Sequence, residues 1–374
     1  MFKIIGKYTS ADVMIDELEE SCIKQIQDMC DNEVFVNPIK IMPDSHSGKG
    51  SVIGFTMPLG DKIIPNTIGV DIGCGMLSYN IGKIDINHAE LDAKIREVIP
   101  FGMNVCDDES PLSESEIELC NKVGANVSYT KQSVGSVGSG NHFIELGKSI
   151  NTGDIWITVH SGSRNLGTKV CDYWQQKATI KNPVIIAEEI DFIKKNYDRG
   201  EWNVKIRDIK KPKKATNFDY LSGNDNVGYL HDMCICQGYA TYNRFVIMGR
   251  IIKILNLMVG SVNVLDVVET IHNYVDFKDN IIRKGSIRSY VGERMIIPLN
   301  MRDGILLCEG KSNPDWNFSA PHGAGRLLSR KKAKSNLDMD KFSNEMSGIF
   351  STSVCQKTID EAPDAYKDSN LIRS

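Results

Sequence analysis

Short apolar runs broken by polar and glycine residues dominate the first 160 residues, a helical apolar period follows to about residue 260, and short runs then return. The spacing predicts an amphipathic helix over residues 10–30, with Ser10-Ala11-Asp12 as its cap leading into Glu17–Cys30. Ile39–Pro43 and Val52–Met57 read as short strands on either side of a loop that carries Asp44-Ser45-His46-Ser47-Gly48-Lys49-Gly50. Ala89–Val98 reads as a helix, and the polar residues 106–118 as a loop or a weakly held insertion. Gly135–Gly140 is a glycine-serine loop that runs into an extended Asn141–Leu146, and Asp154–Val159 is a strand that delivers His160. Helices are expected over Lys169–Thr179, Val184–Tyr197 and the long apolar-periodic stretch Tyr229–Leu257, interrupted by a basic, proline-containing segment at 205–214. After Gly260, Met301-Arg302-Asp303-Gly304 makes a hairpin turn between Met295–Leu299 and Ile305–Glu309. There is no repeat, coiled coil or low-complexity tract. The expectation is a single α+β domain over residues 1–374 with a helical insertion at about 165–260.

Composition narrows this picture only slightly. A chain of 374 residues, 41% hydrophobic and 25% charged, is ordinary for a soluble globular protein. The polar N-terminus does not resemble a secretory signal, and no apolar run approaches the ~18 residues of a membrane span. Ten cysteines are too sparse for a disulfide framework, which points to a reducing cytoplasm. The net charge of −4 gives no global attraction for nucleic acid. Two local basic runs, Lys205–Lys214 and Arg326 to Lys334, supply patches where phosphates can bind, although each also reads as a solvated face.

Candidate chemistry changes the picture more. Gly69-Val70-Asp71-Ile72-Gly73-Cys74-Gly75 is an apolar run that ends in a sharp glycine turn, with a carboxylate and a thiol three residues apart. Five of the seven histidines, His46, His142, His160, His272 and His322, sit in polar or glycine contexts, whereas His88 and His231 read as structural. Asp71, Cys74 and two or three of these histidines make a borderline-soft metal site, for one ion or for two bridged by the thiolate. By affinity alone such donors take zinc or copper before manganese, so availability and geometry decide the metal. The alternative is a small buried thiol beside an aspartate that caps a turn.

Ala320-Pro321-His322-Gly323-Ala324-Gly325-Arg326 looks like a glycine loop running into a basic helix, where amides and Arg326 favour an anion such as phosphate. His322 at its mouth reads as a covalent nucleophile, a general acid, or a loop residue bonded to backbone. With 141–145 extended, Asn141 and Glu145 share one face and offer a polar pocket beside the metals.

Taken in order, Asp44–Gly50, Gly69–Gly75, Gly140-Asn141-His142-Phe143-Ile144-Glu145, His160-Ser161-Gly162-Ser163-Arg164, His272-Asn273, Arg283-Lys284-Gly285 and His322–Arg326 resemble the RtcB-type RNA ligases, in their shorter bacterial branch. The resemblance covers roughly residues 40–366 and implies mixed β-sheets around a central metal and nucleotide cleft. It implies a GTP-dependent ligase with two divalent ions, usually manganese, acting on RNA 3′-phosphate or 2′,3′-cyclic phosphate ends and 5′-hydroxyl ends, as in RNA repair or tRNA splicing. By position, Asp71, Cys74, His142, His160 and His272 match the metal ligands, with Cys74 bridging. His322 matches the histidine that takes GMP. Asn141, Glu145, His272, Asn273 and the loop Gly323, Ala324, Gly325 and Arg326 match nucleotide contacts.

A monomer, acting alone or with a protein activator, is expected. Many relatives end with a lysine on the guanine nucleotide, while no lysine follows Lys367 here, and Pro298-Leu299-Asn300-Met301 replaces a serine-containing loop near the base. The expectation is a complete metal centre beside a less complete nucleotide pocket. The competing readings are a metal-dependent phosphodiesterase or nucleotidyl enzyme that does not seal, and a metal- and RNA-end-binding protein without turnover.

Overall fold

The computed structural model describes residues 1–179, 183–210 and 215–373. The chain opens with β1 (Phe2–Ile5), β2 (Ser10–Val13), α1 (Glu20–Cys30), β3 (Ile39–His46), β4 (Ile53–Pro58) and the short β5 (Lys62–Ile63). Ser10–Val13 is a strand rather than the start of a helix, because Ala11 and Val13 alternate inward and pair with β1. The period of two overrides the cap signal, and α1 begins at Glu20 without a side-chain cap.

Next come β6 (Gly75–Asn80), α2 (His88–Val98), α3 (Glu114–Val123), α4 (Val127–Ser133), β7 (Phe143–Lys148) and β8 (Ile155–Ser161). The expected loop over 106–118 ends early, since Ser113 and Glu116 form a reciprocal capping box that starts α3. Helices α5 (Arg164–Thr179), α6 (Pro183–Asn196) and α7 (Arg199–Lys210) follow, then β9 (Leu221–Ser222) and the 36-residue α8 (Asn224–Val259). Of the basic run at 205–214, the part up to Lys210 is helical, and 211–214 lie outside the described residues.

The remainder is β10 (Asp266–Ile271), β11 (Asn273–Asp276), β12 (Ile281–Lys284), β13 (Ser286–Arg288), β14 (Arg294–Asn300), β15 (Gly304–Glu309) and β16 (Ser319–Pro321), then α9 (Arg330–Asn336), α10 (Met339–Glu345) and α11 (Asn370–Arg373). The hairpin of β14 and β15 turns where expected, with Asn300 paired to Gly304.

The architecture is α+β with two principal sheets. One has the order β1-β2-β3-β4-β12-β11, the other β10-β6-β8-β7. In the four-stranded sheet, Leu77, Ile157 and Val159 face a core built with Ile247, Met248, Ile251, Ile254 and Leu255 of α8. On its other face, Met76 and Val268 pack against Ile296 of β14. His160 belongs to that second face, opposite Met76 and Phe143 in register.

Helix α8, about 54 Å long at 1.5 Å per residue, also reaches the other core, where Tyr229, Met233, Cys236 and Tyr239 join Phe35, Ile39, Ile41 and Phe55. Its period of 3.6 thus buries one stripe against each sheet in turn. Among the described residues no helix is long and apolar enough to cross a membrane.

Candidate metal centre

The Asp71–Cys74 turn leads directly into β6, and His160 comes from β8 beside it. Glycine is required at this crossing, because a Cβ on Gly75 would lie 2.2 Å from the Thr270 carbonyl oxygen. Cys74 Sγ stands 3.4 Å from His142 Nε2 and 3.3 Å from His160 Nε2. These three donor atoms lie within 4.8 Å of one another. His142 Nε2 is 2.9 Å from Asp71 Oδ2, whose other oxygen accepts the Ser163 N–H at 3.2 Å. Gly162 leaves room for that carboxylate, since a Cβ there would lie 2.0 Å from Asp71 Oδ1.

The proton positions follow from the far sides of the rings. His142 Nδ1 lies 3.0 Å from the Val137 carbonyl and His160 Nδ1 3.0 Å from the Asn141 carbonyl. A carbonyl only accepts, so each Nδ1 carries a proton and each Nε2 is the nitrogen turned toward the site. Two imidazole Nε2 atoms, the Cys74 sulfur and a carboxylate oxygen therefore converge on one point, where the thiol S–H is the one proton left to share. His272 meets His160 edge to face, with ring centroids 5.2 Å apart, and its Nδ1 is buried without a hydrogen-bond partner among the described residues. That donor set fits a divalent cation.

Electrostatics agree. Burial, reinforced by the Asp71 carboxylate, pushes the Cys74 thiol well above its ordinary value. Burial also drives His160 and His272 well below theirs, so both rings are neutral.

His322 extends this row of imidazoles, with its centroid 4.8 Å from that of His272. Its Nδ1 lies 2.6 Å from Asp44 Oδ2, which also accepts the His322 backbone N–H at 3.0 Å. Asp44 is fully buried. The aspartate fixes the Nδ1–H tautomer, orients the ring and leaves Nε2 as the free nitrogen. The motif that holds Asp44 is legible in the sequence, but its role is not, because 278 residues separate it from its partner.

His46 sits beside Asp44 rather than among the metal donors, with Nδ1 3.2 Å from the Asp44 carbonyl, and burial pushes it down to about 4. His88 and His231 lie on the surface away from the cluster.

The residues matched to nucleotide contacts divide into two kinds. Glu145 lies in β7, partly buried, and burial pushes its carboxyl up to about 7. Asn141 precedes that strand with its side chain exposed. Asn273 is occupied on both ends of its amide, donating to the Asp71 carbonyl at 3.1 Å and accepting the Gly285 N–H at 3.0 Å.

The loop after His322 does not run straight into a helix. Helix α9 starts at Arg330 behind an N-cap at Ser329. Ala324 donates to the Pro298 carbonyl at 3.1 Å, and the Arg326 guanidinium is held by the Asp360 carbonyl, Glu361 and Tyr366. Arg326 thus secures the loop against the C-terminal segment instead of standing free for an anion.

Sequence reading missed two further residues. Asn243 and Arg244, adjacent on α8 and fully buried, bind the backbone of the ligand-bearing turns. Asn243 donates to the Ser136 and Gly162 carbonyls and accepts the Gly135 N–H at 2.7 Å. Arg244 donates to the Gly73 carbonyl at 2.8 Å and the Ser161 carbonyl at 3.0 Å, and pairs with Glu269 at 2.9 Å. A polar pair on an otherwise apolar helical stripe was the available signal.

Comparison with known proteins identifies the family. The family model described as tRNA-splicing ligase RtcB matches residues 25–132 and 121–373. The chain is similar to RNA-splicing ligase RtcB1 of Escherichia coli, at 29% identity over 89% of this chain and 84% of the relative. RNA-splicing ligase RtcB of Escherichia coli strain K12 is 28% identical over the same shares. The tRNA-splicing ligase RtcB of Nanoarchaeum equitans is 24% identical over 96% of this chain and 88% of the relative. With its family model matched over most of its length and Cys74, His142 and His160 gathered at one point, the chain belongs to the tRNA-splicing ligase RtcB family.

Proposed function

We propose that this chain is an RNA ligase that uses GTP and two divalent ions, manganese by preference. It would join RNA 3′-phosphate or 2′,3′-cyclic phosphate ends to 5′-hydroxyl ends through a covalent GMP on His322. The observation that carries the reading is the His322–Asp44 pair at 2.6 Å, with Nε2 left free and His272 alongside. Family membership supports an RNA substrate, since the relatives are named RNA-splicing and tRNA-splicing ligases.

Asp71, Cys74, His142, His160 and His272 would hold the ions, whose chemistry is to neutralise phosphoryl oxygens and align an in-line displacement. The protein's own groups do the rest. Asp44 keeps the proton on Nδ1, so His322 Nε2 attacks the α-phosphorus of GTP as a neutral nucleophile. An N–P bond forms, the bond to the bridging oxygen breaks, and pyrophosphate leaves. The RNA 3′-phosphate oxygen then displaces His322 from the GMP phosphorus. The 5′-hydroxyl oxygen finally attacks the RNA phosphorus and releases GMP. A 2′,3′-cyclic phosphate is first opened by water. Asn141, whose carbonyl meets His160 Nδ1, and Glu145 of β7 would contact the nucleotide.

Manganese and GTP labelled at the α-phosphate provide the test. A covalent label is expected on the wild-type chain and none on His322→Ala. Opening of a cyclic phosphate without any adduct would instead assign a phosphodiesterase. RNA binding without either activity would leave a non-catalytic end-binding protein.

A further inference from the structure

Asp44 lies in β3 and His322 follows β16, so something must keep two distant segments in register to within a hydrogen bond. Lys367 touches both. Its backbone N–H donates to the Gly325 carbonyl at 3.0 Å, three residues past His322. Its Nζ crosses to β3 and donates to the carbonyls of Pro43 at 2.8 Å and Ser45 at 3.0 Å, the two neighbours of Asp44. The loop and strand it joins are in close contact already: a Cβ on Gly325, at φ +75°, would lie 2.2 Å from the Asp44 carbonyl oxygen.

The turn before Lys367 strengthens the same grip. Leu327 and Leu328 donate their N–H groups to the Ala365 carbonyl at 2.9 and 3.2 Å, and Arg326 lies over the Tyr366 ring. Carbonyls alone are poor company for a mostly buried ammonium, which favours a nearby anion. Asp44 is that anion, the leading acidic neighbour of Lys367, and one of its oxygens lacks a hydrogen-bond donor among the described residues.

We propose that Lys367 is a positioning residue for His322: it grips the carbonyls on either side of Asp44 and ties the His322 loop to the same strand. The inference rests on the reading of His322 as the group that takes GMP. Lys367 touches neither the metal donors nor the His322 ring, so its loss acts on rate through geometry.

The test is single-turnover formation of the His322–GMP adduct in Lys367→Met and Lys367→Arg, with manganese and GTP. The expected result for Lys367→Met is a maximal rate at least tenfold lower, a half-saturating GTP concentration within twofold of wild type, and unchanged metal content. Lys367→Arg, which can still donate to two carbonyls, is expected within about threefold of wild type. An unchanged rate in Lys367→Met, or a loss seen only as a higher GTP requirement, overturns the proposal. If Lys367→Met does not fold, Lys367→Gln takes its place.

Carbethoxylation of His322 by diethyl pyrocarbonate, followed by peptide mass spectrometry, needs no nucleotide. It should slow in parallel in Lys367→Met. If the wild-type chain takes no GMP, the ligase reading fails by itself, and an unchanged carbethoxylation rate would then overturn the role of Lys367 separately.

Discussion

At Cys74 the protein alone favours a neutral thiol, because burial and Asp71 both resist a second negative charge. A divalent ion reverses that preference, so metal uptake should release a proton and weaken as pH falls. Cys74→Ala is expected to stay folded, since it removes one small buried group, while losing bound metal and adduct formation together. Metal analysis after gel filtration, beside a thermal melt, checks both halves. Saturation to ~100 times Kd should stabilise the wild-type chain by ~2.7 kcal/mol, a gain absent from the variant.

Glu145 offers a pH test with a definite sign. Its carboxyl is pushed up to about 7 when folded, against an ordinary value of 4.5. The folded state therefore binds more proton than the unfolded state between those values, and stability from this group falls as pH rises through that window. Glu145→Gln should melt like wild type near pH 4.5 and above it at pH 8.

Much of this chemistry is legible in the chain itself, because Asp71, Cys74, His142 and His322 lie in glycine-marked turns and His160 lies at the end of a strand just before one. The partnership of Asp44 with His322 is not, since only the folded chain brings them together. Nor is the capture of Arg326, which looks like an anion ligand until Asp360 and Glu361 are in place.

Among elements, α8 has the widest influence on the site. Asn243 and Arg244 hold the turns at 73, 135–136 and 161–162, so the metal ligands inherit their spacing from one helix. Arg244→Met should preserve the helix, whose stability comes from its apolar stripe, while loosening the turns beside Cys74 and His160. A loss of metal affinity of tenfold or more is expected, measured by competition with a chelating dye. An affinity equal to wild type would mean that the turns are held without it.

The long apolar period at 229–257 makes the helix itself readable. It says nothing of where two polar members of that stripe end up. The basic run from Arg326 to Lys334 shows a related limit. Arg330 and Lys334 pair with Asp360, which neutralises part of a stretch that reads as uniformly positive. An RNA strand following this surface would meet less charge than the sequence suggests.

For the whole molecule, α8 shares its length between two cores, so neither sheet keeps its packing when the helix is lost. Unfolding is expected as one transition. Variants retaining only Trp174, in the core beside the six-stranded sheet, or only Trp156, against β14, should give the same denaturant midpoint. Separate midpoints would show that the two halves melt independently.

The α+β class and most element positions follow from local periodicity. The strand order does not, because pairing is decided by surfaces that meet late. The clearest instance is β12, which enters the six-stranded sheet next to β4.

That placement has a consequence for the chain as it is made. Strand β4 ends at Pro58 and its neighbour begins at Ile281, so the ribosome must add about 220 residues before the pairing edge of β4 is covered. At about 5–20 residues per second, that edge stays open for roughly ten seconds or more. An uncovered strand edge recruits other chains. High-level synthesis should therefore favour aggregates of unfinished protein, and weaker induction, which lowers the concentration of such chains, should raise the soluble yield. His322 emerges later still, so no unfinished chain carries the nucleophile while this edge is exposed.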